Sequence, residues 1–378
     1  MSSSKNEKKL SDNIWSGRHV LVTGHTGFKG SWLIQWLAHL GAKVHGYALP
    51  PEPGPDGHKP LFTAAGLKDL LASHTEGNIL DRELFQKTWK DSNASVLFHL
   101  AAQALVGDSY REPLETFQVN VLGTASVLET IRLNPRPVAV VIITSDKCYL
   151  NQEQVWGYRE IDPLGGKDPY SASKAAAEIA AQSWRDSFFP VNSLAKHGVR
   201  LATARAGNVI GGGDWAAARL IPDLVRALNR KQAASIRNPQ AIRPWQHVLE
   251  PLSGYLALAE RLINEPLEPL WCSAWNFGPE PKDAWSVSKM ADYFCQLWGE
   301  GAQWTDNSDP NAPQEAGILR LSIDRARSLL GWAPQWSVKR AVARTASWYQ
   351  AETRKGFEAR KNCLDNILEY IYYKFKIM

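Results

Sequence analysis

The stretch Thr23-Gly24-His25-Thr26-Gly27-Phe28-Lys29-Gly30 limits what this chain can become more than any other. It follows a short apolar run, Arg18 to Thr23, that reads as a strand. It precedes Ser31 to Leu40, where Trp32, Leu33, Trp36, Leu37 and Leu40 recur at helical spacing. Strand, glycine loop and helix in that order open a dinucleotide-binding unit. Gly24 permits the tight turn, Gly27 lets the backbone approach a pyrophosphate, and Gly30 lets the helix pack on the strand. The first helical turn then offers unpaired N–H groups to the phosphates.

The same alternation continues along the chain. Lys43 to Tyr47 reads as a second strand, and the proline- and glycine-rich stretch from Pro50 to Pro60 as a loop. Val96 to Leu100 reads as a strand ending in Ala101-Ala102-Gln103, and Phe117 to Asn134 as a helix carrying Asn120. Val138 to Thr144 reads as a buried parallel strand. The pattern predicts an α/β fold, a doubly wound parallel sheet of Rossmann type. From Gly211 onward proline, tryptophan and arginine become dense, which predicts a smaller C-terminal, substrate-binding lobe. The expected division is a disordered leader over 1–14, a dinucleotide domain over 15–210, a lobe mainly over 211–350 and a helical tail over 351–378. Asn276-Phe277-Gly278-Pro279 is expected in the lobe. In the tail Leu364, Ile367, Leu368, Ile371 and Tyr372 are expected on one face.

Bulk properties exclude some classes. The net charge is +5, and much of the local excess lies near the termini. No dense basic stripe supports nucleic-acid binding, so a small anionic substrate fits better. The four cysteines are scattered without a pairing or metal-binding pattern, which suggests reduced thiols in a cytoplasmic protein and no metal site. No apolar run approaches the ~20 residues of a membrane helix. The sixteen tryptophans are expected to pack the core, Trp215 and Trp245 among them.

The chemistry is carried by Tyr170-Ser-Ala-Ser-Lys174 and Thr144-Ser145-Asp146-Lys147. Tyr170 and Lys174 lie four apart and share one helix face. The ammonium is then expected to lower the phenol's pKa and poise it as a general base. Ser145 ends the apolar strand, where open α/β sheets place catalytic groups. Hydroxyl, phenol and lysine together suggest redox chemistry on an alcohol, and Asp146-Lys147 adds a further acid–base pair. The second strand ends without an acidic residue, so a preference for NAD is not read from that contact. The Asn78-Ile79-Leu80-Asp81 turn is expected to supply an adenine contact through Asn78 or Ile79.

Together TGHTGFKG, FHLAAQ, TSDKCY, YSASK, ARAGNVIGGGDW, IRPWQHVLEP and NFGP resemble the extended short-chain dehydrogenase/reductases over about residues 14 to 350. TSDKCY and IRPWQHVLEP narrow the resemblance to the branch that acts on CDP-glucose as 4,6-dehydratases in bacterial deoxysugar and O-antigen synthesis. The resemblance implies NAD as cofactor, held by Gly24, His25, Gly27, Phe28, Lys29, Gly30, Asn78, Ile79, Ala101, Ala102, Gln103, Asn120, Tyr170 and Lys174. It implies that Tyr170 takes the proton of the sugar 4-hydroxyl, that Ser145 hydrogen-bonds the 4-oxygen, that Asp146 protonates the leaving 6-hydroxyl and that Lys147 is the base at C5. Gln103, Ser145, Asn208, Arg219 and Arg243 are the implied contacts to the nucleotide sugar. Where the family reads Ala-Ala-Gln-Pro-Leu-Val-Arg, this chain has Ala104 and Gly107, which removes an arginine contact. His25 is expected to crowd the adenosine side and Lys147 to add charge near the nicotinamide, giving weak NAD affinity. His247 is expected to be a structural donor. The family also implies a homodimer or homotetramer, through helices over Val121 to Ile131 and Ala175 to Phe188. Two other readings stay open: a nucleotide-sugar 4-epimerase or decarboxylase on the same fold, and a dinucleotide-sensing binding protein.

Overall fold

A computed structural model describes residues 13–308 and 319–377; the expected leader lies, up to residue 12, outside them. The central sheet has seven strands: β1 (His19–Thr23), β2 (Lys43–Ala48), β3 (Leu71–Glu76), β4 (Val96–His99), β5 (Val138–Ile143), β6 (Val199–Ala206) and β7 (Ala274–Phe277). The order is β7-β6-β5-β4-β1-β2-β3, and every pairing is parallel. The chain builds outward from β1 in one direction and returns with β4 on its other side. The switch point between β1 and β4 opens a crevice at the strands' C-terminal ends, where such sheets hold ligands.

The helices are α1 (Phe28–His39), α2 (Arg82–Ser92), α3 (Gly123–Leu133), α4 (Pro169–Ser187), α5 (Leu220–Asn229), α6 (Leu249–Asn264), α7 (Val287–Trp298), α8 (Val338–Glu352) and α9 (Ala359–Ile377). Both faces of the inner strands are buried, which explains their continuous apolar runs, whereas the edge strand β3 is polar and partly exposed. In β5, Ala139, Val141 and Ile143 point to the core shared with α1 and α6, while Val138, Val140 and Ile142 point to the core shared with α2, α3 and α4. Val20 and Val22 oppose Leu21 in β1 in the same way.

Three expectations are corrected. The sheet does not end at residue 210: Ala274–Phe277 pairs along β6, so the sequence expected in the lobe returns to complete the sheet. That edge of β6 has unpaired backbone groups that a parallel strand satisfies. The lobe's own short strands are three two-stranded pairs, Val209–Ile210 with Gln246–His247, Ala234–Ile236 with Trp304–Asp306, and Ile242–Pro244 with Ala284–Ser286. Second, the helix expected over Phe117 to Asn134 is broken by a π turn at Gln118–Leu122, which carries Asn120 into the interior. Third, the tail helix α9 buries Cys363, Ile367 and Tyr370; of the expected stripe Ile367 is buried and Ile371 packs on the core, while Leu364 and Leu368 are half-buried and Tyr372 is exposed. Tyr370 meets Trp36 of α1 edge-on at 5.7 Å and donates its hydroxyl to Glu250 Oε2 at 2.6 Å.

The tryptophans are mostly buried, with Trp215 stacked on His58 at 3.8 Å and Trp245 donating to the Trp285 carbonyl. All four cysteines are buried free thiols.

Candidate active site

The three glycines of the first loop meet three different surroundings. Gly24 has a φ of 71°, and a Cβ there would stand 2.7 Å from the Ala101 backbone nitrogen. A Cβ on Gly30 would stand 2.2 Å from the Gly24 carbonyl oxygen, so this residue sets how closely α1 approaches the β1 turn. A Cβ on Gly27 would meet only the Gly24 oxygen, at 3.4 Å. Packing does not require glycine at 27; the open space beside its backbone fits a ligand phosphate. Gly27 is also the N-cap of α1, and no side chain caps the helix. The unpaired N–H groups of the first turn are thus left for an anion, and the loop fits a dinucleotide pyrophosphate. We expect Gly27→Ala to keep its melting temperature but lose cofactor affinity. Gly30→Ala should cost about 1–3 kcal/mol of stability. Thermal melts with and without NAD distinguish the two.

Thr23 locks the loop to the neighbouring strand. Its hydroxyl accepts from the Leu100 and Ala101 N–H groups, both at 3.2 Å, and pairs with His99 Nδ1 at 2.8 Å. Asn120 holds the next segment: Oδ1 accepts from Gln103 N at 2.9 Å, and Nδ2 donates to the Gln103 carbonyl and to Ser173 Oγ at 2.8 Å. Ser173 in turn donates to the Tyr170 carbonyl at 2.7 Å. Asn120 therefore clamps Ala101-Ala102-Gln103 to the catalytic helix. Ser173 lay within the YSASK motif, three residues from Tyr170, but its link to Asn120 crosses between distant segments.

The reacting groups gather at the ends of β5 and β6. Asp168 caps α4 through the Ser171 N–H at 2.9 Å, with Pro169 in the first turn, and this fixes Tyr170 at the helix start. Tyr170 is 8% exposed, and the nearby Ser145 side chain favours its ionised form. Ser145 caps the short turn Asp146–Cys148 by accepting from the Lys147 N–H, and donates to Asp146 Oδ1 at 3.0 Å. Asp146 is 2% exposed and lies against Gly207, where a Cβ would stand 2.6 Å from its Oδ2.

Electrostatics assign different tendencies to these groups. Burial raises the Asp146 carboxyl, against the lowering pull of Lys147, Ser145, Lys29 and Arg243. Burial also pushes the Tyr170 phenol up to about 12, with the Ser145 side chain pulling the other way. The expected lowering by Lys174 is therefore corrected. Its ammonium stands 5.9 Å from the ring centre, and desolvation outweighs it. Lys174 itself falls to about 8 through burial and the nearby Lys29. Lys29 also falls to about 8 through burial, while Asp146 raises it and Arg219 lowers it. The Lys29 side chain, expected to serve the phosphate loop, thus faces the acid and the catalytic lysine. A lysine in the first turn of the helix was the only sequence signal for this.

Arg219 is held by Asp214 at 2.8 Å, and Arg243 sits on Ile242–Pro244 within electrostatic reach of Asp146. Asn208 follows Gly207 on the same side, half-buried. The remaining expected ligands are placed differently. His25 is fully buried, its Nε2 2.8 Å from His74 Nδ1 and its ring against Phe62 and Gly46, so only its backbone belongs to the loop. The Ile79 side chain packs in the core against Gly123, and Asn78 Oδ1 accepts from the Leu80 N–H. The Gln103 amide is folded onto the Leu105 backbone through both its oxygen and its nitrogen. His247 is buried and held neutral, its pKa lowered to about 3 by burial; its Nδ1 accepts from the Leu249 N–H, so it is an acceptor there.

A family model described as the NAD dependent epimerase/dehydratase family matches residues 20–267. The chain belongs to that family. It is 48% identical to a CDP-glucose 4,6-dehydratase of Salmonella typhimurium over 345 residues, covering 91% of this chain and 94% of that protein. It is 23% identical to a UDP-glucose 4-epimerase of Halalkalibacterium halodurans, over 88% of this chain and 95% of that one. Among solved structures, a dTDP-glucose 4,6-dehydratase from Bacillus anthracis in complex with NAD superposes with a TM-score of 0.72 at 18% identity, over 89% of this chain and 98% of that one. That likeness carries the epimerase/dehydratase fold. The first carries the choice within the family.

Proposed function

We propose that this protein converts CDP-glucose to CDP-4-dehydro-6-deoxyglucose with NAD as cofactor, as a hydro-lyase of deoxysugar and lipopolysaccharide O-antigen synthesis. The observation that carries the reading is Asp146: a buried carboxyl with a raised pKa, bonded to Ser145, beside the phenol of Tyr170. Redox at C4 needs only tyrosine, lysine and a hydroxyl. Loss of a hydroxyl from C6 also needs an acid, and a carboxyl that burial makes hold its proton more tightly than usual suits that role. The 48% identity to a CDP-glucose 4,6-dehydratase supports the same choice.

In this reading Tyr170 takes the proton of the 4-hydroxyl while Ser145 donates to the 4-oxygen. Lys174 supports the phenolate electrostatically. Asp146 hands a proton to the departing 6-hydroxyl, which leaves as water, and Lys147 removes the proton at C5. NAD, held by the Gly24–Gly30 loop and the Ala101–Gln103 segment, would supply a reversible hydride acceptor, so no net oxidant would be consumed. Arg219, Arg243 and Asn208 bind the diphosphate, a task for which guanidinium forks are suited. Gln103 and Asn120 shape the cofactor wall through the backbone they hold, next to Ala101 and Ala102.

A homodimer or homotetramer is proposed through α3 and α4, whose outer faces leave Leu133, Ile179 and Phe188 exposed; light scattering that gives a monomer at micromolar concentration would defeat it. A cytoplasmic location is proposed from the nucleotide-sugar substrate and the buried free thiols, and cell fractionation tests it. Among the described residues no helix is long and apolar enough to cross a membrane.

Incubation with CDP-glucose, with and without added NAD, tests the reaction by mass. The expected product is lighter by one water, with no net reduced cofactor. An isomer of unchanged mass, altered at C4, would replace the reading with an epimerase.

A further inference from the structure

Helix α4 carries Tyr170, Lys174 and Glu178 at successive steps of four, so the catalytic stripe has a third member that the chemistry above leaves unused. Glu178 is 3% exposed, yet its carboxylate is fully engaged. The Thr144 hydroxyl donates to Oε1, and the Thr203 hydroxyl at 2.7 Å and Arg205 Nη2 at 2.8 Å donate to Oε2. These bonds hold its pKa down against the raising effect of burial. Arg205 Nη1 then donates to the Tyr149 hydroxyl at 2.8 Å and to the Glu160 carbonyl at 3.1 Å. The Tyr149 hydroxyl donates a hydrogen bond to Asn276 Oδ1 at 2.8 Å, and Asn276 Nδ2 donates to the Tyr158 carbonyl at 2.8 Å.

The order of these bonds matters more than their number. They begin on the helix of Tyr170 and Lys174. They grip the chain at Thr144, just past β5 and one residue before Ser145, and cross β6 at Arg205. From Arg205 they reach Tyr149, the residue that closes the Asp146–Cys148 turn. The turn that carries Ser145, Asp146 and Lys147 is therefore held at both ends, and both ends are referred to the same helix. A buried ion pair adds little stability over an apolar pair of similar size. Such a pair, four residues beyond the catalytic lysine, calls for another use.

We propose that Glu178 and Arg205, acting through Tyr149, are positioning residues that set Asp146 and Lys147 in register with Tyr170 and Lys174. The proposal rests on the dehydration reading. Redox at C4 needs the helix groups and Ser145 alone, whereas elimination needs Asp146 placed at a second carbon of the same bound sugar. A displacement of about 1 Å there costs on the order of a hundredfold in rate.

Tyr149→Phe deletes one hydroxyl and leaves the ring. We expect kcat for water loss to fall about tenfold or more, the KM for the sugar nucleotide to stay, and reduced nicotinamide to build up during turnover. Amide exchange of the full chain without ligands gives a second readout. The N–H groups of Cys148, Tyr149 and Leu150, bonded to Ser145, Asp146 and Pro163 carbonyls, should exchange faster while the central sheet is unchanged. Glu178→Gln with Arg205→Met removes both charges, keeps an acceptor for one threonine and offers a donor to the other, and should show the same signature. Wild-type kcat with unchanged exchange in Tyr149→Phe would overturn the proposal, whether or not the double variant folds. A wild-type protein that releases no water from CDP-glucose would sink the reaction instead, and the exchange result would still decide the positioning.

Discussion

Asp146→Asn should leave the protein folded and able to bind its nucleotide sugar, while loss of water falls about a hundredfold to ten-thousandfold. Asparagine keeps the shape of the side chain and an oxygen for the Ser145 hydroxyl, which stands 3.0 Å from Oδ1. It removes only the transferable proton. Burial holds that proton on the wild-type carboxyl above the ordinary value of 3.8, although Lys147, Ser145, Lys29 and Arg243 all favour its loss. The same shift makes a prediction about stability, and its sign is definite. A carboxyl whose folded pKa is raised contributes stability below the unfolded value of 3.8 and loses it as pH rises through the folded value. Asparagine never ionises. The variant should therefore melt at or above the wild-type temperature at neutral and alkaline pH, and the difference should vanish as pH approaches 3.8. Mass analysis of the product and melts across pH test both halves. A variant that dehydrates at the wild-type rate would remove Asp146 as the acid. One that never loses water but still interconverts C4 epimers would match the competing epimerase reading.

The parts of this design that were legible in the sequence are those in which cause and effect lie close along the chain. Gly24, Gly27 and Gly30 act within one strand–turn–helix unit, so their spacing is enough. Tyr170 and Lys174 act across one helical turn, and Ser145 marks the end of an apolar run. The rest depends on pairings between distant segments. Ala274–Phe277 looks like lobe sequence until β6 offers it an edge. His25 reads as a loop residue, but His74 and Phe62 draw its ring away from the loop. The π turn at Gln118–Leu122 differs from an ordinary helix by one residue of register, which apolar periodicity does not resolve. The Glu178–Arg205 pair left two faint traces: a glutamate on the stripe of Tyr170 and Lys174, and an arginine between the alanines Ala204 and Ala206 of β6. A charge in a strand buried on both faces implies a buried partner, but the partner's identity required the fold.

Tyr170→Phe should lower turnover about a thousandfold, at the upper end of what one proton-transfer group supplies, with binding of cofactor and nucleotide sugar retained. The ring stays in its buried place and only the ionisable hydroxyl beside Ser145 is lost. The wild-type pH profile carries the sharper test. The base form of Tyr170 must coexist with protonated Lys174. The phenol is held at about 12 and the lysine at about 8. The required pair of states is then populated at about one part in ten thousand relative to neutral phenol with neutral lysine, since each unit of difference is tenfold. Its population rises tenfold per pH unit up to about 8 and is flat from there to about 12. The expected kcat/KM therefore climbs through the neutral range and levels off on the alkaline side. Lys174→Met should remove the break near 8. A wild-type profile already flat at pH values well below that break would show that ligands stabilise the phenolate beyond what the folded chain provides. It would move the origin of Tyr170's basicity from the protein's own electrostatics to the bound sugar and cofactor.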